Sequence, residues 1–415
     1  MLKITQKFLR LPIERVSAAG DIFLKNIFSG REMESEMKKN KILGLVLVLI
    51  FSMTVFAGCG SSNKDTAPQY GESAEIKMAV LGSAEQFEKR QDFFVGMDLA
   101  IKELKESGVI VTYEKIDDGK SRDNGVALAK DVAKDGKYTL AFTLQNSDTV
   151  ESVADIFEQA AKPLIIVNEV FDSTMNKNYS YVLAGVISAE AAGKALAKLC
   201  ESKGIKWVAT AHSSSQYENM LARGFNNAAT DSKSVYLLDS TAGPNRVSEF
   251  ATVWDRWNTL GVQAALVSFD DPEWACELIQ MIKSQNKNIL ILGDAQFNDL
   301  ALMNEYKDSL EGMIVAGSYG VAHEEKLQAF YNKYEKKVMD EIGLDITSVT
   351  AQAYDFVHMI AQNVKKSGDA QEFMKHMKST EGYPGVTDVK FNAKGQLEED
   401  PNYWTVKNGQ MYRMV

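Results

Sequence analysis

Cysteine and histidine are nearly missing from this chain of 415 residues, which has three of the first and four of the second. His212, His323, His358 and His376 are scattered, with no metal-ligand spacing, so a zinc-type site is excluded and neither metal nor cofactor is expected. Cys200 and Cys276 sit in helical patterns ("AKLC", "EWACELI"), where a small buried thiol is expected rather than a disulfide. Positive charge is also in deficit: 46 Lys and Arg against 56 Asp and Glu give a net charge of −10. An acidic surface argues against nucleic acid or anionic lipid as a partner. Nor does the apolar run Ile42–Ala57 reach across a bilayer, since it has 16 residues and a spanning helix needs ~20.

What is present explains that short run. Lys38, Lys39 and Lys41 introduce it, the small residues Ala57 and Gly58 close it, and Cys59 follows. A basic flank, an apolar middle and a small-residue end describe a secretory signal peptide. The stretch "VFAGCGSS" resembles the lipobox of bacterial lipoproteins, although Phe56 is bulkier than that family usually carries. The resemblance implies cleavage before Cys59 and acylation of its thiol, so that lipid holds the domain at the extracytoplasmic face of the membrane. Met37 followed by "KKN" is a better start for such a signal than Met1. Residues 1–58 carry nine Lys and Arg against five Asp and Glu, leaving a mature chain of 357 residues near −14. Its length suggests two domains, and 45% apolar composition is ample for their cores.

The mature chain opens with a polar linker over 59–75 ("GSSNKDTAPQYGESAE" from Gly60), which reads as a tether. Order begins with the strand "IKMAVLG", and strands then alternate with helices. The strands are "VIVTYEKI", "YTLAFT", "PLIIVN" and "SYVLAG", then "KWVATA", "SVYLL", "QAALVSF", "NILILG" and "EGMIVAGSYG". Helices are expected at 123–134, 147–161, 188–202, 216–229, 247–260 and 273–284, with long ones at 324–342 and 348–366. This alternation predicts an α/β fold of two doubly wound parallel-sheet lobes. The tail stretches "YPGVTDVKFNAKGQ" and "YWTVKNGQMYRM" read as strands with turns. Late helices and strands do not continue one lobe, so the chain crosses three times, near 185, 318 and 385. The first lobe is then 76–185 with 319–384, and the second is 186–318 with 385–415.

Enzymatic readings fail on their own requirements. In "DDGKS" the first glycine of a phosphate loop would fall on Glu114, whose carboxylate repels phosphate. "HSSSQY" lacks the G-x-S-x-G frame of a nucleophile elbow. Asp117–Asp118 reads as a solvated turn pair. No enzyme is expected.

An exported chain with two α/β lobes and three crossings resembles the type I periplasmic binding proteins, which deliver ligands to ABC importers. "AQAYDFVHMIAQNVKKSG" through "GVTDVKFNAKGQ" is similar to the branched-chain-amino-acid branch, as is "DDGKSRDNGVALAKDVAKDGKYTLAF". "NSDTVESVADIFEQAAKPLIIVN" and "ENMLARGFNNA" are similar to the ribose-type branch. The resemblance implies a monomer that hands a small polar solute to a membrane permease. Its lobes would close over the solute, with an amino acid or amine ahead of a sugar. A sensory lipoprotein without transport is the reading from another class. Ligands of such sheets bind outside the carboxyl ends of strands. The expected ligand-binding residues are therefore Ser83, Gln145, Asn146, Ser147, Asn168 and Glu169 in one lobe. In the other they are Tyr217, Asp270, Asp294 and Gln296. Relatives imply a carboxylate near the "LQNS" and "NEV" stretches and an ammonium on a far-lobe acid, with Asp270 and Asp294 sharing one corner.

Overall fold

The computed structural model describes residues 70–414 except 244–246, 298–299, 318–323, 343–345, 380 and 399–401. Cys59, the apolar run and most of the linker lie outside the described residues. No helix among the described residues is long and apolar enough to cross a membrane.

The first lobe runs through β1 (Ile76–Gly82), α1 (Ala84–Lys89), α2 (Gln91–Glu106), β2 (Val111–Asp117) and α3 (Arg122–Lys134). It continues with β3 (Leu140–Thr143), α4 (Ser147–Gln159), β4 (Leu164–Ile166), α5 (Asp172–Met175) and β5 (Val182–Ala184). The second lobe opens with α6 (Ala189–Ser202), β6 (Trp207–His212), α7 (Gln216–Asp231), β7 (Tyr236–Ala242) and α8 (Val247–Leu260). Next come β8 (Ala264–Ser268), α9 (Pro272–Gln285), β9 (Leu290–Gly293), α10 (Leu300–Glu305), α11 (Lys307–Leu310) and β10 (Ile314–Gly317). Three helices follow, α12 (Glu324–Ile342), α13 (Ser348–Lys366) and α14 (Ala370–Met377), then β11 (Asn402–Lys407) and β12 (Gln410–Arg413).

The two sheets repeat one plan. The first has the order β2-β1-β3-β4-β5 and the second β12-β11-β10-β9-β8-β6-β7. All pairings are parallel except those of β11 and β12. Strands such as β3 and β8 are buried on both faces, which is why they read as unbroken apolar runs rather than alternating ones. In each sheet the order reverses beside the first strand, between β1 and β3 and between β6 and β8. Those reversals are the points where loops diverge and leave a crevice.

The late helices return to the first lobe. Val349, Phe356, Ile360 and Phe373 share a core with Phe93, Met97 and Phe142, and Leu327 and Phe330 of α12 cover Val95 and Leu99. The final passage lies later than residue 385. Val389, Phe391 and Leu397 still belong to the first core, and Gln396 bridges Ala184 at the end of β5. The cause is Asp355, buried in α13, which accepts hydrogen bonds from the backbone N–H groups of Val386 and Thr387 and from the Thr387 hydroxyl. Gly385 permits that approach, because a Cβ there would lie 2.2 Å from Asp355 Oδ1. Within 383–397 the expected strands are only isolated bridges, Tyr383 to Val389 and Phe391 to Leu397. The hairpin from Asn402 forms as the sequence reads, with Asn408 and Gly409 both at positive φ in its turn.

One packing contact sets the position of the second lobe's site helix. At Gly193 of α6 a Cβ would lie 2.0 Å from the Leu221 carbonyl oxygen of α7, and at Gly224 one would lie 2.2 Å from that of Glu190. The two backbones touch because neither side chain is there. Cys200 and Cys276 are buried thiols that form no disulfide, as their helical patterns imply.

Candidate ligand-binding site

At the first reversal, β1 ends in Ser83 and β3 leads into Asn146. Ser83 is buried and caps α1, accepting from Gln86 N at 3.3 Å while its own N–H donates to Gln86 Oε1 at 2.8 Å. Gln86 Nε2 in turn donates to Asn146 Oδ1 at 2.6 Å, drawing the two loop ends together. Asn146 is the N-cap residue of α4, yet its side chain makes no capping bond. The first turn of α4, starting at Ser147, therefore keeps the partial positive character of a helix start. Asn168 and Glu169 follow β4, half-buried, on the strand beside β3.

Gln145 does not join this group. It is 1% exposed and donates from Nε2 to Asp118 Oδ2 at 3.0 Å, while its carbonyl accepts from the Thr143 hydroxyl at 3.2 Å. Buried Asp118 requires a donor, and the side chain expected to face a ligand supplies it from inside the lobe.

The second reversal is denser. β6 ends at His212, and Ser213 N–H donates to the Ser268 carbonyl at 3.0 Å, stitching the loop to the end of β8. Ser213 and Ser215 hydroxyls lie 2.7 Å apart, and Ser215 donates to the carboxylate of Glu218. Glu218, third in α7, is buried, and its pKa is raised by that burial and by the charge of Asp270, against the Ser215 hydrogen bond. Asp294, after β9, is 1% exposed. It accepts from the Ser268 hydroxyl, from Gln296 N–H at 3.0 Å and from Gln296 Nε2 at 3.0 Å. Gln296 Nε2 also lies 2.6 Å from the Phe269 carbonyl. Burial and then the charge of Glu218 push the Asp294 carboxyl up to about 6.

β8 and β9 are neighbours, as expected, yet Asp270 is exposed and is not the acid that acts on Asp294. The pair is Glu218 with Asp294, and Asp270 acts on Glu218 from outside. Like charges held near each other out of water raise each other's pKa, and a cation between them would relieve both. Tyr217 packs half-buried on the second core, and Phe269 is buried edge-on to Trp274 at 6.1 Å. Glu218 escaped the sequence reading, although Ser215-Gln216-Tyr217-Glu218 has the spacing of a capping box. No group of acids, histidines and cysteines among the described residues is arranged to hold a metal ion. Helices α4 and α7, which leave the two sets of loops, approach within 8 Å between Cα atoms.

Residues 86–410 match a family profile described as periplasmic binding protein. No curated protein matches the chain. Among solved structures, an ABC transporter substrate-binding protein from Desulfitobacterium hafniense, in complex with Leu, aligns at 19% identity and a TM-score of 0.69. That alignment covers 82% of this chain and 99% of the other. A branched-chain amino acid transporter substrate binding protein from Streptococcus pneumoniae, in complex with isoleucine, aligns at 17% identity and 0.66, covering 82% and 100%. A solute binding protein of an ABC transporter from R. palustris, in complex with benzoate, aligns at 16% identity and 0.66, covering 82% and 96%. At such identities the likeness concerns the fold.

Proposed function

Because the chain belongs to the periplasmic binding protein family, whose members bind solutes, we propose that it is the ligand-capturing component of an ABC importer. It is held outside the cell membrane by acylated Cys59, and it closes its lobes over a small ligand bearing an ammonium group. The observation that carries the ligand class is the buried Glu218–Asp294 pair, whose hydrogen-bond neighbours are hydroxyls and amides, with His212 the basic side chain that acts on Glu218. An ammonium placed there supplies a full countercharge to the two acids. Lobe closure excludes water and strengthens the attraction. Opposite, the uncapped start of α4 suits a carboxylate, so an amino acid satisfies both walls. The leucine and isoleucine complexes of the similar structures fit that class.

A thermal-shift screen with amino acids, amines, sugars and nucleosides tests the reading. A ligand at ~100 times its dissociation constant should add ~2.7 kcal/mol of stability. Asp294→Asn should then weaken an amine or amino acid roughly 10- to 150-fold, the worth of one buried charge-assisted hydrogen bond. Tight binding of a neutral ligand, or an Asp294→Asn protein that binds the amine as well as the parent, would sink the ammonium assignment.

A further inference from the structure

The opposite end of the second sheet carries a surface of different chemistry. Six large apolar side chains stand well exposed among the described residues, and three of them gather there: Trp207 at 44%, Tyr236 at 53% and Leu260 at 44%. Trp207 and Tyr236 are register partners at the starts of parallel strands β6 and β7, so their rings leave one face of the sheet ~4.8 Å apart at the backbone. Leu260 ends α8 and precedes Gly261, where a Cβ would rest 3.7 Å from Trp207 Cε3. Gly261 also borders a groove of about 530 Å³, within the ~300–1,000 Å³ typical of small-ligand sites. Gln263 joins groove to rings. Its N–H donates to the Trp207 carbonyl at 2.8 Å, and its side-chain carbonyl accepts from Lys206 N and Trp207 N at 2.8 and 3.2 Å.

The lining of that groove is selective. Its polar residues are four carboxamides, Asn258, Gln263, Asn286 and Asn288, and the ammonium of Lys203, with no carboxylate, beside apolar Ile205, Trp254, Val262, Ile289 and Leu290, in a chain where acids outnumber bases 56 to 46. Carboxamides are uncharged; the oxygens of Gln263 and Asn286 already accept backbone N–H groups, so these two offer their NH2 donors, which suits hydroxyl and acetamido oxygens and gives a metal ion nothing to neutralise it. Protein docking faces put the apolar residues at the centre and the polar ones at the rim. Here amides share the groove with apolar side chains, and the exposed Trp207 and Tyr236 rings stand beside it rather than at its centre. Exposed flat rings beside amides match a pyranose, whose C–H face is apolar and whose edge is polar.

We infer that this surface binds a glycan chain, with sugar rings stacked on Trp207 and Tyr236 and their hydroxyl or acetamido groups held by Asn258, Gln263, Asn286 and Asn288. β6 separates it from the ligand-binding loops by ~3.3 Å for each of its residues, so the glycan and the solute occupy the protein independently.

Titrating the mature chain with chitotetraose and cellotetraose, followed by tryptophan fluorescence and by co-sedimentation with purified peptidoglycan, tests this. Saturable binding to at least one of the three is expected. Trp207→Ala and Tyr236→Ala should each weaken it about tenfold, the order of one lost stacking contact. Trp207→Phe should retain most of the affinity, and Asn288→Ala, on a loop, should weaken it without touching the rings. Asp294→Asn should leave glycan binding unchanged, which keeps this assignment separate from that of the solute site. Absence of saturable binding to all three probes, or equal binding by a Trp207→Ala, Tyr236→Ala double variant of unchanged Tm, overturns the inference. So does a concentration-dependent dimer that Trp207→Ala abolishes while no glycan binds.

Discussion

Replacing Asp294 by Asn removes a charge that the fold holds at a disadvantage. The carboxyl has a pKa raised from 3.8 to about 6, by burial first and by Glu218 after it. Between those values the folded protein keeps a proton that the unfolded chain has already lost. Stability therefore falls as pH rises through this window, and the whole deficit is present above it. The interval corresponds to about 3 kcal/mol. Asn would not recover all of that. Its Oδ1 can still accept from Gln296 N–H, and the Ser268 hydroxyl can reverse to accept from Nδ2. Nδ2 would however face Gln296 Nε2, now 3.0 Å from Asp294 Oδ2, donor against donor, at a cost of about 1 kcal/mol. The expected net effect at pH 7.5 is a gain of about 1–2 kcal/mol, or a Tm higher by about 2–4 °C. At pH 5 much of the gain should have gone, and below the ordinary carboxylate range none should remain. Calorimetric unfolding of parent and variant at pH 7.5, 5 and 3.5 measures this. A variant no more stable than the parent at pH 7.5, or a gain that does not change with pH, would refute the reasoning.

Glu218→Gln should let Asp294 ionise at lower pH, moving the midpoint of the pH-dependent stability change below about 6 and weakening an ammonium ligand about tenfold or more; an unmoved midpoint counts against the pairing. Gly193→Ala puts a methyl 2.0 Å from the Leu221 carbonyl oxygen and should cost about 1–3 kcal/mol by denaturant titration, with a parental midpoint as the contrary outcome. Cys59→Ser should abolish fatty-acid labelling, and continued incorporation would exclude that thiol as the anchor. Saturating ligand should reduce the radius of gyration in small-angle scattering as the lobes rotate together; unchanged dimensions would argue against closure.

Most of the ten strands of the two parallel sheets were legible as apolar runs between polar turns, as in "QAALVSF" and "NILILG", and the more polar edge strands β2 and β7 from their place in the alternation with helices. The long helices were legible from their spacing and end where it ends. What misled lies where tertiary contacts override local pattern. Residues 383–397 alternate like strands, yet most of their backbone meets α13 and β5 rather than a sheet edge. Helix α14 has only eight residues, too few to display a period, although Asp369 caps it through Glu372 N–H. Among the site residues, loop position alone pointed to Ser83, Asn146, Asp270, Asp294 and Gln296. It could not tell that Gln145 turns inward, because the demand comes from Asp118, which lies 27 residues earlier in the chain.

Two buried aspartates show why a raised pKa is not by itself a sign of a binding site. Burial raises the pKa of Asp355 as it does that of Asp294. Asp355, however, sits inside helix α13, and its three donors come from a single loop, Val386 and Thr387. Its carboxylate holds a chain crossing in place, and those bonds account for its burial. Asp294 also has three donors, but they belong to Ser268 and Gln296, at the carboxyl ends of β8 and β9. Glu218 is packed close enough to work against it, and Asp270 works against Glu218 in turn. Among the described residues the hydrogen bonds to Glu218 and Asp294 come from hydroxyls and amides, which a neutral acceptor would also take. A fold consistent at every level would have used a neutral residue at one of them, and departures of this kind are expected where function outweighs stability. A cationic ligand, as proposed, would turn the same repulsion into affinity, so the predicted stability gain of Asp294→Asn and its predicted loss of binding would have one cause.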